Sequence, residues 1–182
     1  MARLLYVFIA LLLIISTPLV AKASRSAITN DLIIEKNAEM ETLLKKRNPA
    51  ETMTFLHEHI SDDAKFRISF QNTSMPAEMQ KNSLEMGKSD YINTFIQGLA
   101  YVDKYDVTIK TGDIKISDNG KTAQAEEVMI EEGVMLNPQN LLDKGIPFLS
   151  KTTCITTYAM EKGIIKSDKA ACHTESGEIS AI

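Results

Sequence analysis

The chain has 182 residues, with 20 Lys and Arg against 24 Asp and Glu, a formal net charge of −4 and two cysteines. A mildly acidic balance without a basic cluster argues against nucleic acid as a partner, because phosphates demand concentrated positive surface. The same lack argues against electrostatic attachment to anionic lipid, and the length suits one domain with a real core.

The first residues, MARLLYVFIALLLIISTPLVAKASRS, carry Arg3, an apolar run from Leu4 to Ile15, then Ser16, Thr17 and Pro18 before AKA. A charged start, a short apolar core and a small-x-small site are the marks of a secretory signal peptide. Residues 1–23 are therefore expected to be removed, leaving 24–182 as a single domain in the periplasm or outside the cell. Removal takes Arg3 and Lys22 and no acid, which moves the net charge from −4 to −6. No stable membrane anchor is expected after cleavage. The alternative is an uncleaved anchor, for which the apolar stretch of about 17 residues is at the low edge.

A first helix is predicted from about Asp31 to Arg47, with Ile33, Met40, Leu43 and Leu44 on one side and the cations of KKR at its C-terminus. NPAE then restarts the chain: Asn48 caps, Pro49 suits the first helical position and Glu51 completes a capping box. The second helix runs to about Ile60, and Met53, Leu56 and Ile60 are read as its buried stripe. Phe66, Ile68 and Phe70 alternate with Arg67 and Ser69 as in a half-buried strand. Residues 72–88 are polar and leave room for at most a short strand. A third helix starts at Ser89 as its cap and reaches about Tyr101, with Tyr91, Ile92, Phe95, Ile96 and Leu99 along one stripe.

Asn119-Gly120 is the preferred two-residue hairpin turn, since both positions need positive φ. It sets Ile116 opposite Ala123, Ile114 opposite Ala125, Thr111 opposite Val128 and Ile109 opposite Ile130. In that register the apolar face changes sides in both strands near Gly112 and Glu126-Glu127, which predicts a coiled hairpin bent at Gly112. The connection GVMLNPQNLLDKGIPFLS is expected to hold a short helix ending at Gly145. Its Leu141, Leu142, Ile146 and Phe148 either close a cavity or pack between sheet and helices.

TTCITTYAM and IIKSDKAAC are strand-like, and EKG between them reads as a turn. A loop centred on Gly163 sets Cys154 directly opposite Cys172, within disulfide reach. Export to an oxidising compartment would make that bond persist.

The order helix, helix, strand, polar segment, helix and two long hairpins, with FLHEHISDDAKFRISF as its chief local look-alike and no signature motif, resembles the NTF2-like superfamily, which includes SnoaL-like proteins and ketosteroid isomerase. The resemblance covers about residues 29–175. It implies an α+β fold in which a curved, mostly antiparallel sheet wraps three helices from the N-terminal half into a cone with an apolar cavity. His57, Phe66, Ile68, Tyr91, Phe95 and Tyr158 are the pocket candidates. The isomerase's base, counted six residues on from Asp62, falls on Ile68, and no tyrosine between Ser24 and Asp90 can supply its oxyanion donor. Isomerisation of that kind needs both groups.

His57 is placed beside the stripe of the second helix, at the edge of the core, while His59 turns toward Phe55. Positions i and i+2 point to different helix faces, so the pair is a poor metal site. His173 adjoins Cys172 and could join a site only through tertiary contact. Glu126, Glu127, Glu131 and Glu132 read as a solvated strand face rather than an anionic rim. With no CxxC, HExxH, GxSxG or Gly-rich phosphate loop, neither a metal nor another cofactor is expected. The sequence thus points to an exported, non-catalytic binding domain for an apolar small molecule or a protein partner, with a homodimer left open. The alternatives are an isomerase, dehydratase or hydrolase using His57 or a tyrosine, and an accessory subunit of an envelope machine such as a type IV secretion system.

Overall fold

A computed structural model describes residues 26–72, 81–137 and 144–178. Helix α1 spans Asn30–Lys46, with Thr29 Oγ1 accepting from the Leu32 amide at 3.2 Å and Arg47 closing the other end in the left-handed region. Helix α2, Pro49–His59, follows at once because Asn48 Oδ1 accepts from the amides of Ala50 and Glu51. Satisfying those first amides is what lets a helix begin with only two residues separating it from the end of another. Strand β1 (Ile60–Asn72) pairs with a short edge strand, β2 (Lys81–Gly87), drawn from the polar segment. Helix α3 is Lys88–Ala100; Gly87 is its cap, and Ser89, expected in that role, lies inside the first turn.

Strands β3 (Val102–Ile116), β4 (Thr122–Met135), β5 (Ile146–Glu161) and β6 (Ile164–Glu178) complete a six-stranded sheet in the order β2-β1-β6-β5-β4-β3. All neighbours are antiparallel except β1 and β6. The sheet curves around the helices as a cone. One core cluster joins Ile28, Leu32 and Ile33 to Ala123, Ala125, Tyr158 and Ile165. A second gathers Phe55, Leu56, Ile60, Phe66, Ile92 and Ala170. The third sets Leu44 against Val102, Tyr105 and Val107. Ile33 and Leu44 are fully buried, each contributing roughly 1.5–3 kcal/mol relative to an exposed position.

Two turns differ from the predicted ones. The β3–β4 connection is a four-residue loop, Asp118 to Lys121, closed by the Ser117 amide donating to the Thr122 carbonyl at 3.0 Å. Only Gly120 there has positive φ, while Asn119 Oδ1 accepts from the Lys121 amide and the Ser117 hydroxyl. The loop keeps the predicted centre, so Ile116 still faces Ala123 and Ile114 faces Ala125. Below it Gly112 and Asp113 together oppose Glu126, a bulge that moves the base by one residue. Ile109 therefore faces Met129, and Thr111 faces Glu127, instead of Ile130 and Val128.

The β5–β6 turn is the two-residue pair Lys162-Gly163, both at positive φ, one residue shorter than expected. An extra residue at Asp168, between the pairs Thr157–Lys169 and Tyr158–Ser167, restores the register further down. Cys154 then meets Cys172 and the two form a disulfide, with Cα atoms 4.1 Å apart. Part of the 136–145 connection, including Leu141, Leu142 and the expected short helix, lies outside the described residues, as does the leader.

The disulfide closes a loop of 18 residues. In the chain-entropy view its removal costs about 3 kcal/mol. Urea unfolding of the Cys154→Ala/Cys172→Ala protein should show that loss, and a change below about 1 kcal/mol would contradict it.

Candidate functional site

The interior between the three helices and the sheet holds a cavity of about 120 Å³. Helical spacing aims Lys36, Asn37 and Met40 from α1 into it, one and two turns after buried Ile33. Phe55, Leu56 and His59 enter from α2, and Tyr91 and Phe95 from α3. Strand alternation brings Glu127 and Met129 of β4 to the same wall. Apolar side chains form most of the lining, and the polar groups gather where α1, β4 and β5 meet.

Glu127 organises that polar end. It accepts from Asn37 Nδ2 at 2.5 Å, from Thr156 Oγ1 at 2.6 Å and from the Tyr158 hydroxyl. Asn37 Nδ2 also donates to Thr111 Oγ1 at 3.0 Å, and Asn37 is only 6% exposed. The Lys36 ammonium position lies 4.9 Å from the centre of the Tyr158 ring and 3.5 Å from Asn37 Oδ1. Burial holds the Lys36 pKa below its ordinary 10.5, with the charge of Glu127 acting in the opposite direction. The Tyr158 hydroxyl is pushed well above its usual range, first by burial and then by Glu127.

His59 borders the cavity with its ring 4.4 Å from that of Phe55, and its Nδ1 lies 3.0 Å from the Ile165 carbonyl. The carbonyl can only accept, so Nδ1 carries the proton and donates it, which leaves Nε2 as the basic nitrogen. Burial lowers the His59 pKa from 6.5, against the effect of that carbonyl. Tyr91 stacks on Phe66 at 4.1 Å, and burial with nearby Glu131 and Glu127 pushes its pKa up to about 12. A second acidic network lies alongside: Glu131 accepts from the Tyr105 hydroxyl at 2.5 Å and from Ser150 Oγ at 3.0 Å. Among the described residues no group of three His, Cys, Asp or Glu could hold a metal ion.

Of the sequence candidates, Phe66, Tyr91 and Phe95 line the cavity, together with both cysteines. Tyr158 is buried in the neighbouring core and reaches the site through Glu127. Ile68 is half-buried, paired with Leu84 and Cys172, and is not among the lining residues. His57 is exposed, and its carbonyl accepts from Lys88 Nζ at 2.9 Å. The buried stripe of α2 is Thr52, Phe55 and Leu56, not Met53, Leu56 and Ile60. The reason is local: Ile60 already has extended backbone, so it says nothing about the phase of the helix.

Glu127 and Glu131 also depart from the solvated face expected of them. Near Gly112 only β3 changes sides, at its bulge; β4 keeps one parity there, so Ala123, Ala125, Glu127 and Met129 all face inward. Lys36 and Asn37 had a signal in the sequence, since they sit on the Ile33–Met40 stripe.

With its native pKa below 6.5, His59 takes up a proton on unfolding as pH falls through that value. Its contribution to stability is complete above 6.5 and declines as pH drops toward the native pKa. His59→Gln should flatten part of the fall in urea midpoint between about pH 7 and pH 5. An unchanged pH slope would show that the ring titrates as it does in the unfolded chain.

No family model and no curated protein sequence matches the chain. Solved structures do. A conserved protein from Planctomyces limnophilus is similar at 12% identity and a TM-score of 0.56, over 79% of this chain and 93% of its own. A protein named as a scytalone dehydratase from Novosphingobium aromaticivorans is also 12% identical, with a TM-score of 0.55 over 84% of this chain and 88% of its own. The hexachlorocyclohexane dehydrochlorinase LinA-type3 from Novosphingobium barchaimii gives 10% identity and 0.55, over 84% and 90%. At such identities the likeness is one of architecture, and with the cone, the strand order and the cavity it establishes that this chain has the NTF2-like fold.

Proposed function

We propose that residues 24–182 form an exported binding domain whose cavity takes a small, largely apolar molecule carrying one polar group. The observation that carries this reading is the cavity itself, with aromatic and Met walls and a single polar end at Lys36, Asn37 and Glu127. An engineered apolar cavity of roughly 150 Å³ binds benzene, so an occupant of about that size suits this one. The AKA site supports export, and a disulfide is at home in an oxidising compartment. Native mass spectrometry of protein from its own host tests both halves. The expected species lacks residues 1–23 and carries a labile small molecule, which Ala170→Leu, placed to fill the cavity from β6, should displace with the fold intact. Retention of Met1 in a membrane fraction would overturn export. Occupancy unchanged by Ala170→Leu would overturn the cavity reading.

Acid–base catalysis is the second reading, favoured by one observation. His59 and Lys36 both face the cavity and both have lowered pKa values, which puts bases where a substrate would lie. In that case turnover of enone, epoxide or ester substrates should fall by roughly 10² or more in His59→Gln. His57→Gln, on the outer face of α2, should leave it within a few-fold. Equal effects of the two changes, or no turnover, would remove the catalytic reading.

A further inference from the structure

Lys36 is the one lysine among the described residues that lines the cavity. The carboxylate that would ordinarily hold its ammonium group is engaged elsewhere, by Asn37, Thr156 and Tyr158. The amine is left with the Asn37 carbonyl oxygen at 3.5 Å, the face of Tyr158 and the open volume of the cavity. An amine presented in this way to a confined apolar space is placed for nucleophilic chemistry as much as for charge pairing.

We infer that Lys36 is a covalent capture site, whose amino group condenses with the carbonyl carbon of a small apolar aldehyde or ketone in the cavity. This rests on the cavity being a small-molecule site, as proposed above. The Nζ lone pair forms the C–N bond, the C=O π pair moves to oxygen, and one N–H proton passes to that oxygen, giving a carbinolamine. Loss of the hydroxyl with the second N–H proton releases one water and leaves a C=N bond, with no oxidant or reductant consumed. His59 Nε2 is the group that takes the proton from nitrogen and returns it to the departing hydroxyl. The two side chains border the same cavity, and the charge of Lys36 bears on the His59 ring. The lowered pKa of Lys36 adds to the geometry, because only the unprotonated amine attacks.

The test uses the disulfide-bonded chain 24–182 with benzaldehyde and cyanoborohydride near pH 7, followed by peptide mapping. Reductive trapping should mark Lys36 several-fold above exposed Lys46 and Lys110, because its amine faces the confined carbonyl compound and burial favours its neutral form. Lys36→Arg, which keeps the charge, should lose the mark. Excess benzyl alcohol, which has the shape but no carbonyl, should protect Lys36 several-fold in the unaltered protein, a readout that needs no variant. Label spread evenly over surface lysines would overturn the inference. If benzyl alcohol shifts the Met40 and Met129 methyl resonances while Lys36 stays unmarked, the covalent site fails and the cavity reading stands. If benzyl alcohol shifts neither, both fail.

Discussion

The Glu127 carboxylate collects donors from elements far apart in the chain, and the arrangement of the interior depends on that convergence. Asn37 reaches it from α1, and Thr156 and Tyr158 reach it from β5, while the same Asn37 amide holds Thr111 on β3. A carboxylate inside a cone is tolerable only when such donors surround it, because burying it without partners is prohibitive. Once they do, each becomes dependent on the others: removing the acceptor would take a partner from three buried donors. The helix is thereby fixed in rotation as well as in position. Lys36, next to Asn37 on that helix, is turned into the cavity as a consequence.

The fold was legible wherever a local rule decided the outcome. Asn48-Pro49 starts a helix for reasons contained in two residues, and the alternation at Phe66, Ile68 and Phe70 needs no tertiary knowledge. The cysteine pairing came out right for a subtler reason. The turn is one residue shorter than its centre at Gly163 implies, and the extra residue at Asp168 cancels the difference. Bulges carry little sequence signal beyond a Gly or a polar pair, which is why the Gly112-Asp113 shift was missed and β4 was given a change of face it does not make. The site was hidden for a related reason. Lys, Asn and Glu on core-facing positions look like errors of patterning until the polar end of the cavity is seen to need them. On α2, counting a strand residue into the helical stripe was enough to exchange His57 for His59.

A shared cone does not by itself specify chemistry. Ile68, which counting on from Asp62 matches to the isomerase's base, pairs with Leu84 and Cys172 away from the cavity lining. The titratable groups that do face inward come from α1, α2, α3 and β4. The scaffold supplies a dry, curved enclosure, and which strand or helix donates the polar groups is free to vary. Cys154 and Cys172 lie in the same lining, so the covalent tie between β5 and β6 is also part of the cavity wall.

The outer strand on the other side of the sheet is closed by the protein itself. Glu41 of α1 accepts the Ile109 amide at 2.8 Å and pairs with Lys45 at 2.9 Å. Those two contacts, the amide first, hold its carboxyl below the usual range. An unpaired edge is a template for another chain's backbone. Here the template is occupied at its middle by a side chain that any incoming strand would first have to displace. Growth of the sheet by strand addition is therefore directed away from β3 and toward β2, which is seven residues long. The helix that builds the cavity thus also works as a guard against fibrillar self-association along its own flank.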